Sequence, residues 1–349
     1  MKTCNQSVLV ALSGGVDSSV CVRLLQEEGY QVQAVVIDFS PAHRPVVAQA
    51  QQMADFLQIP LHVVSCHEAF QANVIDPFAK AYLQGQTPNP CILCNPSTKF
   101  HFLLETADRL GIHWVATGHY AGLQRQEQGR TLLKKADCLE RDQSYMLYRL
   151  SQEQLSRLLL PLQGLPKSRV RELAQEWGLP CAHAPDSQEI CFLPDGNYPQ
   201  YIEEHYGVSP QGPFISPEGT VCGTHKGILH YTVGQRKGLG IALGRPVFIR
   251  KMDPKTNTIY LADAGGEFSR ELLLKDCCFI PFPQLEGPME VTAKVRSMAK
   301  EAPASIFPTE DGVRVVFASP QRAPAPGQSC VFYQGDLVVG GGFIAENDL

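Results

Sequence analysis

At 349 residues, 44% hydrophobic and 19% charged, the chain has the make-up of an ordinary globular protein long enough for two or three domains, and no apolar stretch approaches the length of a membrane span. Its formal net charge of −5 excludes an evenly basic surface, but the charge is uneven: positions 223–300 hold 12 Lys/Arg against 7 Asp/Glu, which suits a grip on an acidic substrate. The 12 cysteines, preceded by no export-type apolar run, set the expectation of reduced thiols in the cytoplasm, used for catalysis or metal binding, over a disulfide framework.

In chain order, Val8 to Leu12 reads as a buried parallel strand and Val20 to Leu25 as the start of a helix, so Ser13 to Ser19 is a strand-to-helix turn. Gly14 and Gly15 let its backbone N–H groups converge on an anion, and the helix N-terminus adds partial positive charge. Asp17 becomes useful beside phosphates when a magnesium ion bridges them, and Ser13, Ser18 and Ser19 supply hydroxyl donors. Neither G-x-x-x-x-G-K-[ST] nor G-x-G-x-x-G occurs. The run S-G-G-V-D-S resembles the pyrophosphate loop of the ATP pyrophosphatases, enzymes that split ATP between its α and β phosphates and adenylate an oxygen.

Gln31 to Phe39 is expected as a second strand with Ile37 at its ligand-facing end, Pro45 to Leu57 as an amphipathic helix, Leu61 to Ser65 as a third strand and Phe70 to Leu83 as a helix. Trp114 to Thr117 makes a fourth strand, which puts Gly118 and His119 on the same sheet edge as the Ser13 turn. Alternating strands and helices predict a doubly wound parallel sheet through residue 206. From 207 to 273 Gly and Pro become frequent and short β-like runs appear, among them Ile228 to Val233, so a small central domain is expected there. Residues 274–349 read as short strands separated by turn residues, the pattern of a small β-barrel.

Thr87-Pro-Asn-Pro-Cys91-Ile-Leu-Cys94-Asn95 follows the helix ending near Leu83, and its two prolines stiffen the approach to the cysteine pair. A lone C-x-x-C is open to half a zinc site, a dithiol pair or packed thiols; no second pair at similar spacing exists to complete a four-cysteine zinc site. Cys191, 97 residues beyond Cys94, is the candidate third member, and the remaining cysteines read as small core residues.

The runs S-G-G-V-D-S-S, T-P-N-P-C-I-L-C-N, A-T-G-H-Y-A, R-D-Q-S-Y-M-L, D-S-Q-E-I-C-F, H-Y-T-V-G-Q-R-K-G-L-G and A-K-V-R, in that order, resemble the tRNA-specific 2-thiouridylase family. The resemblance implies an adenine nucleotide alpha hydrolase-like fold and ATP-dependent conversion of the wobble uridine of tRNA to 2-thiouridine. It assigns Ala11, Leu12, Ser13, Gly14, Gly15, Val16, Asp17, Ser18, Ile37 and Gly118 to the nucleotide site, and Asp17 to magnesium. Cys191 corresponds to the persulfide carrier and Cys94 to the second, nucleophilic cysteine. Asn89, Pro90 and Cys91 correspond to the target-base contacts, and His119, Arg141, Asp142, Gln143, Arg296, Ser297 and Gln328 to tRNA contacts. The implied partners are tRNA and a sulfur-donor protein, either a cysteine desulfurase or a sulfur-relay carrier. Lys226, Arg236, Lys237, Lys294 and Arg296 are available to neutralise phosphates while the base is splayed out.

The chain departs from the family pattern in three places. Cys91 stands where many members carry an aspartate, so Cys91, Cys94 and Cys191 form a three-thiolate set similar to the [4Fe–4S] sites of other tRNA-thiolating enzymes, and the persulfide and cluster routes are both open at this point. The segment after Phe39 is short and lacks an acidic run, and Ser297 replaces a usual aromatic residue. Rival readings are another ATP pyrophosphatase, such as an amide-forming synthetase or a tRNA lysidine synthetase, and a non-catalytic RNA-binding protein.

Overall fold

The computed structural model describes residues 6–127, 129–186, 190–193 and 195–346. They form two compact units, one of residues up to 74, 91–196 and 336–338, the other of 75–90, 197–335 and 339 onward.

The first unit is built on β1 (Ser7–Ala11), α1 (Val16–Glu27), β2 (Gln31–Asp38), α2 (Arg44–Leu57), β3 (Leu61–Ser65) and α3 (His67–Phe70). Helix α4 (Asp76–Leu83) belongs to the second unit, and α5 (Pro90–Cys94) brings the chain back. Then follow α6 (Phe100–Arg109), β4 (Trp114–Ala116), a hairpin of β5 (Gly122–Arg125) and β6 (Thr131–Lys134), α7 (Ser144–Leu147), α8 (Gln152–Ser156), β7 (Leu158–Leu159) and α9 (Lys167–Glu176). Five strands pair in parallel in the order β3-β2-β1-β4-β7, with Val8 opposite both Val32 and Trp114. Parallel strands covered on both faces must be apolar throughout, and Val8, Leu9 and Val10 are fully buried. The order reverses between β1 and β4, and the loops leaving those two strands flank the crevice in which α/β sheets bind ligands.

In the second unit α10 (Tyr198–Tyr206) precedes a four-stranded sheet of β8 (Gly212–Ile215), β9 (Val221–His225), β10 (Val247–Asp253) and β11 (Thr258–Asp263). The run Ile228 to Val233, expected to be β-like, starts instead as a 3-10 turn over Ile228–His230. Gly227 and Gly234, both at positive φ, bracket the run, and Ile228 and Leu229 reach the core from the turn without a strand partner. A closed barrel of β12 (Phe268–Phe279), β13 (Met289–Lys294), β14 (Ala302–Thr309), β15 (Gly312–Arg322), β16 (Ser329–Gln334) and β17 (Leu337–Ile344) completes the unit. Pairing of Leu274 with Ile344 and of Phe279 with Gly340 shuts it, and alternate residues such as Leu272, Leu274, Val313, Val315 and Phe317 fill its interior. No helix of the described residues is long and apolar enough to cross a membrane.

Candidate nucleotide and thiol site

The turn after β1 is shaped by glycine. Gly14 has φ 78° and lies so close to α2 that a Cβ would meet the Gln49 carbonyl carbon at 2.6 Å; Gly118 lies so close to the turn that a Cβ would meet the Asp17 carbonyl carbon at 2.8 Å. The Ser19 N–H and hydroxyl both return to the Gly15 carbonyl, at 3.1 and 2.7 Å, and Ser13 Oγ and Ser18 Oγ are 3.2 Å apart. These contacts open α1 toward a pocket of about 390 Å³ that is lined by Ala11, Leu12, Ser13, Gly15, Val16, Asp17 and Ser18. Ile37, Gly118, His119, Arg141 and Gln143 line the same pocket. The structure thus brings the expected nucleotide residues together, Gly14 being the close-approach point behind them.

Three residues of the pocket floor escaped sequence reasoning. Tyr120 Oη and Lys167 Nζ each donate to Asp17 Oδ1 at 2.6 Å, and Lys167 Nζ also lies 3.0 Å from Asp186 Oδ1. Arg171 and Arg141 reach the same Asp186 carboxylate at 2.7 and 3.1 Å. Burial pushes the Asp186 carboxyl up, but Lys167, Arg171 and Arg141 hold it below the usual carboxylate range; burial and the bond to Asp17 push the Tyr120 hydroxyl up. Tyr120 and Asp186 stood inside quoted motifs, a usable signal, whereas Lys167 is 150 positions from Asp17 and had none. Asp17 Oδ2 has no partner among the described residues, so the carboxylate fits a magnesium ligand on the pocket wall.

The thiols lie next to this pocket within the first unit. Helix α5 runs straight into a π-helical turn, Asn95–Lys99, held by Asn95 Nδ2 donating to the Met146 carbonyl at 2.8 Å and Ser97 Oγ donating to that of Leu93 at 2.6 Å. The wide turn brings the Lys99 N–H onto the Cys94 sulfur and its side chain into the pocket. Cys91 and Cys191 are exposed and Cys94 is half-buried, yet surrounding protein desolvates all three sulfurs. Burial pushes Cys94 up to about 12 and Cys191 up to about 11, and raises Cys91; the Lys99 ammonium acts against this rise at each of them. Cys191 and Cys91 both raise Cys94, and Cys91 raises Cys191, so the fold gathers the three sulfurs in one neighbourhood, and all stand as free thiols. Among the described residues no group of three His, Cys, Asp or Glu is placed to hold a single metal ion.

Lys99 Nζ lies 3.4 Å from His119 Nε2, and an ammonium can only donate, so Nε2 accepts and Nδ1–H donates to Thr117 Oγ1 at 2.7 Å. Burial, reinforced by the Lys99 charge, holds this ring neutral, well below its ordinary value. Of the strip matched to tRNA contacts, Arg141 is exposed. Asp142 turns inward, accepting from the Ala136 and Ser144 N–H groups at 2.9 and 3.2 Å, and Gln143 Oε1 accepts from the Tyr120 N–H at 2.9 Å. In the second unit Gln328 Nε2 donates to the Thr87 carbonyl at 2.6 Å, beside half-buried Asn89 and buried Pro90. Arg296 is exposed and Ser297 half-buried on the bend after β13.

A phosphate loop at the switch point of a parallel sheet, with a cationic lysine linking its pocket to a cluster of thiols, defines a nucleotide-binding α/β protein that couples a phosphate site to sulfur chemistry. Residues 6–195 match the model of the tRNA methyl transferase HUP domain, 199–263 that of the tRNA methyl transferase PRC-barrel domain and 269–344 that of the aminomethyltransferase beta-barrel domain. The chain is 46% identical to the tRNA-specific 2-thiouridylase MnmA of Acetivibrio thermocellus over 97% of its length and 99% of that protein's, and 44% identical to the protein of that name from Clostridioides difficile over 98% and 99%. It belongs to the tRNA-specific 2-thiouridylase family.

Proposed function

We propose that the protein is a cytoplasmic, ATP- and magnesium-dependent tRNA-uridine 2-sulfurtransferase that makes 2-thiouridine at the wobble position. The observation that carries this reading is that Cys94 and Cys191, far apart in sequence, both lie within reach of the Lys99 ammonium, which lines the pocket of the Ser13–Ser18 turn. Uridine C2 is a poor electrophile, so its oxygen first attacks the α-phosphorus of ATP, the bond to pyrophosphate breaks, and pyrophosphate leaves toward the Ser13–Ser18 turn. Magnesium, held by Asp17, would neutralise phosphate charge. The terminal sulfur of a Cys191 persulfide then attacks C2, and AMP departs with the electron pair of the C–O bond. Cys94 thiolate attacks the Cys191 sulfur; the S–S bond to the transferred sulfur breaks, leaving 2-thiouridine and a Cys94–Cys191 disulfide that a dithiol reductant reopens. Lys99 favours the anionic state of both sulfurs, offsetting part of the cost of their burial.

Asn89, Pro90 and Cys91 would receive the splayed base, while His119, Arg141, Gln143, Arg296, Ser297 and Gln328 would hold the anticodon arm and the inward Asp142 would order the Arg141–Gln143 strip, with a desulfurase or relay protein reloading Cys191. The second route has Cys91, Cys94 and Cys191 as the thiolates that would hold a [4Fe–4S] cluster, which would bind the sulfur donor in place of a persulfide. Incubation with ATP, magnesium, a dithiol, unmodified tRNA and a cysteine desulfurase with free cysteine as persulfide donor, followed by mass analysis of the wobble nucleoside, is expected to give 2-thiouridine with AMP released in step. Cys94→Ser and Cys191→Ser should each abolish it. Full thiolation by Cys94→Ser, or AMP release without thiolation by the unaltered chain, would overturn the reading.

A further inference from the structure

The two ends of the nucleotide pocket differ in chemistry. The phosphate end is crowded with hydroxyls and charges, whereas the far end is lined by Val35, Val36, Ile37, Phe39, Val46 and one polar ring, His43. That histidine is 4% exposed and closes a 3-10 turn, Pro41–His43, in the short segment after Phe39 where the chain departs from the family pattern. Its ring meets those of Phe39 and Phe70 edge-on, with centroids 5.1 and 6.3 Å away, and Phe39 packs on Phe70 at 5.1 Å. Nδ1 lies 3.1 Å from Ser40 Oγ, while Nε2 has no hydrogen-bond partner among the described residues. Burial, with His67 adding and Asp38 opposing, lowers its affinity for a proton, so the ring is neutral and one nitrogen keeps a lone pair. The ring is nearly buried but lines an apolar recess, and its unpartnered nitrogen is a hydrogen-bonding group available to a ligand that enters there.

We infer that His43 reads the base of the nucleotide. With Nδ1–H donated to Ser40 Oγ, Nε2 accepts the exocyclic amino group of an adenine seated against Ile37 and Phe39. Guanine offers a carbonyl oxygen at that position, which Nε2 could meet only in the opposite tautomer, with Ser40 Oγ turned to donate to Nδ1. His43 is thus a specificity-determining residue for a purine bearing a 6-amino group. The inference rests on the nucleotide part of the proposed function and is independent of the thiolation chemistry.

Calorimetric titration of the full chain, without tRNA, compares a non-hydrolysable ATP analogue with GTP and with purine riboside triphosphate, which lacks the 6-amino group. The unaltered protein should prefer the ATP analogue over purine riboside triphosphate by about tenfold, the value of one neutral hydrogen bond. His43→Phe keeps the ring packing but has no lone pair, and should bind the two equally while rejecting GTP less. Should His43→Phe fail to fold, Ser40→Ala, which frees the tautomer, should cut the preference about threefold. A preference unchanged in the folded variant overturns the inference; absence of ATP binding by the unaltered chain overturns the nucleotide reading itself.

Discussion

Asp17 Oδ1 carries two donors at 2.6 Å, the Tyr120 hydroxyl and the Lys167 ammonium, before any nucleotide arrives. The side chain of Lys167 is only 10% exposed and shares its charge with Asp186, so the lysine cannot drift away from the pocket floor without leaving two carboxylates facing each other. Triphosphate would enter a site in which this cation is already fixed, and its reorganisation cost is therefore small. Lys167→Met should weaken binding of a non-hydrolysable ATP analogue by about tenfold, about 1.4 kcal/mol, because one charge-assisted contact is lost and Asp17 is left less neutralised. Calorimetry checks this, with far-ultraviolet circular dichroism confirming that the variant is folded. Affinity equal to that of the unaltered chain would show that Lys167 serves only to anchor α9.

Two loops leaving adjacent strands, β1 and β4, must pass within van der Waals distance of each other to build the phosphate end, and Gly118 is where they touch. A Cβ there would sit 2.8 Å from the Asp17 carbonyl carbon and 2.9 Å from the Ser18 nitrogen, both backbone atoms that cannot rotate aside. Gly118→Ala should therefore cost about 1–3 kcal/mol as overpacking and displace the pyrophosphate turn, seen as a lower melting temperature together with weaker nucleotide binding. Loss of neither would mean that the turn yields freely. The elements themselves were legible where local pattern and fold agree: the apolar runs at Val8 to Leu12, Gln31 to Phe39 and Leu61 to Ser65 announce β1, β2 and β3, and the glycine pair announces the turn. The Ile228 to Val233 run misled because apolar alternation reports burial, which a 3-10 turn satisfies as well as a strand does. Cys94 and Cys191 could be singled out by motif, but their sharing of one neighbourhood depends on the packing of segments 97 positions apart, and Lys167 lay beyond reach for the same reason.

At the scale of the whole molecule, both units hold histidines in the uncharged state. In the first, burial lowers His43 and His119, the latter further by the Lys99 charge; in the second, burial lowers His225. His225 shows why the neutral form is required: Gly227 N–H donates to its Nδ1 at 3.1 Å, so only Nε2 can carry a proton, and that proton goes to the Asn257 carbonyl at 3.0 Å. Protonating Nδ1 would set two donors against each other in a ring that is 1% exposed. The unfolded chain takes up these protons near the ordinary histidine value, about 6.5, while the folded chain takes them up only at lower pH. Below about pH 7 the unfolded state thus binds more protons, and stability must fall as pH falls, from the unfolded value down through the depressed folded values. Thermal unfolding followed by circular dichroism should show a melting temperature at pH 5.5 below that at pH 7.5 by at least about 2–4 °C, the shift that one kcal/mol produces in units of this size. His225→Gln, which can still donate to the Asn257 carbonyl but does not titrate, should flatten part of that dependence; a profile identical to that of the unaltered chain would mean that His225 charges within the folded protein.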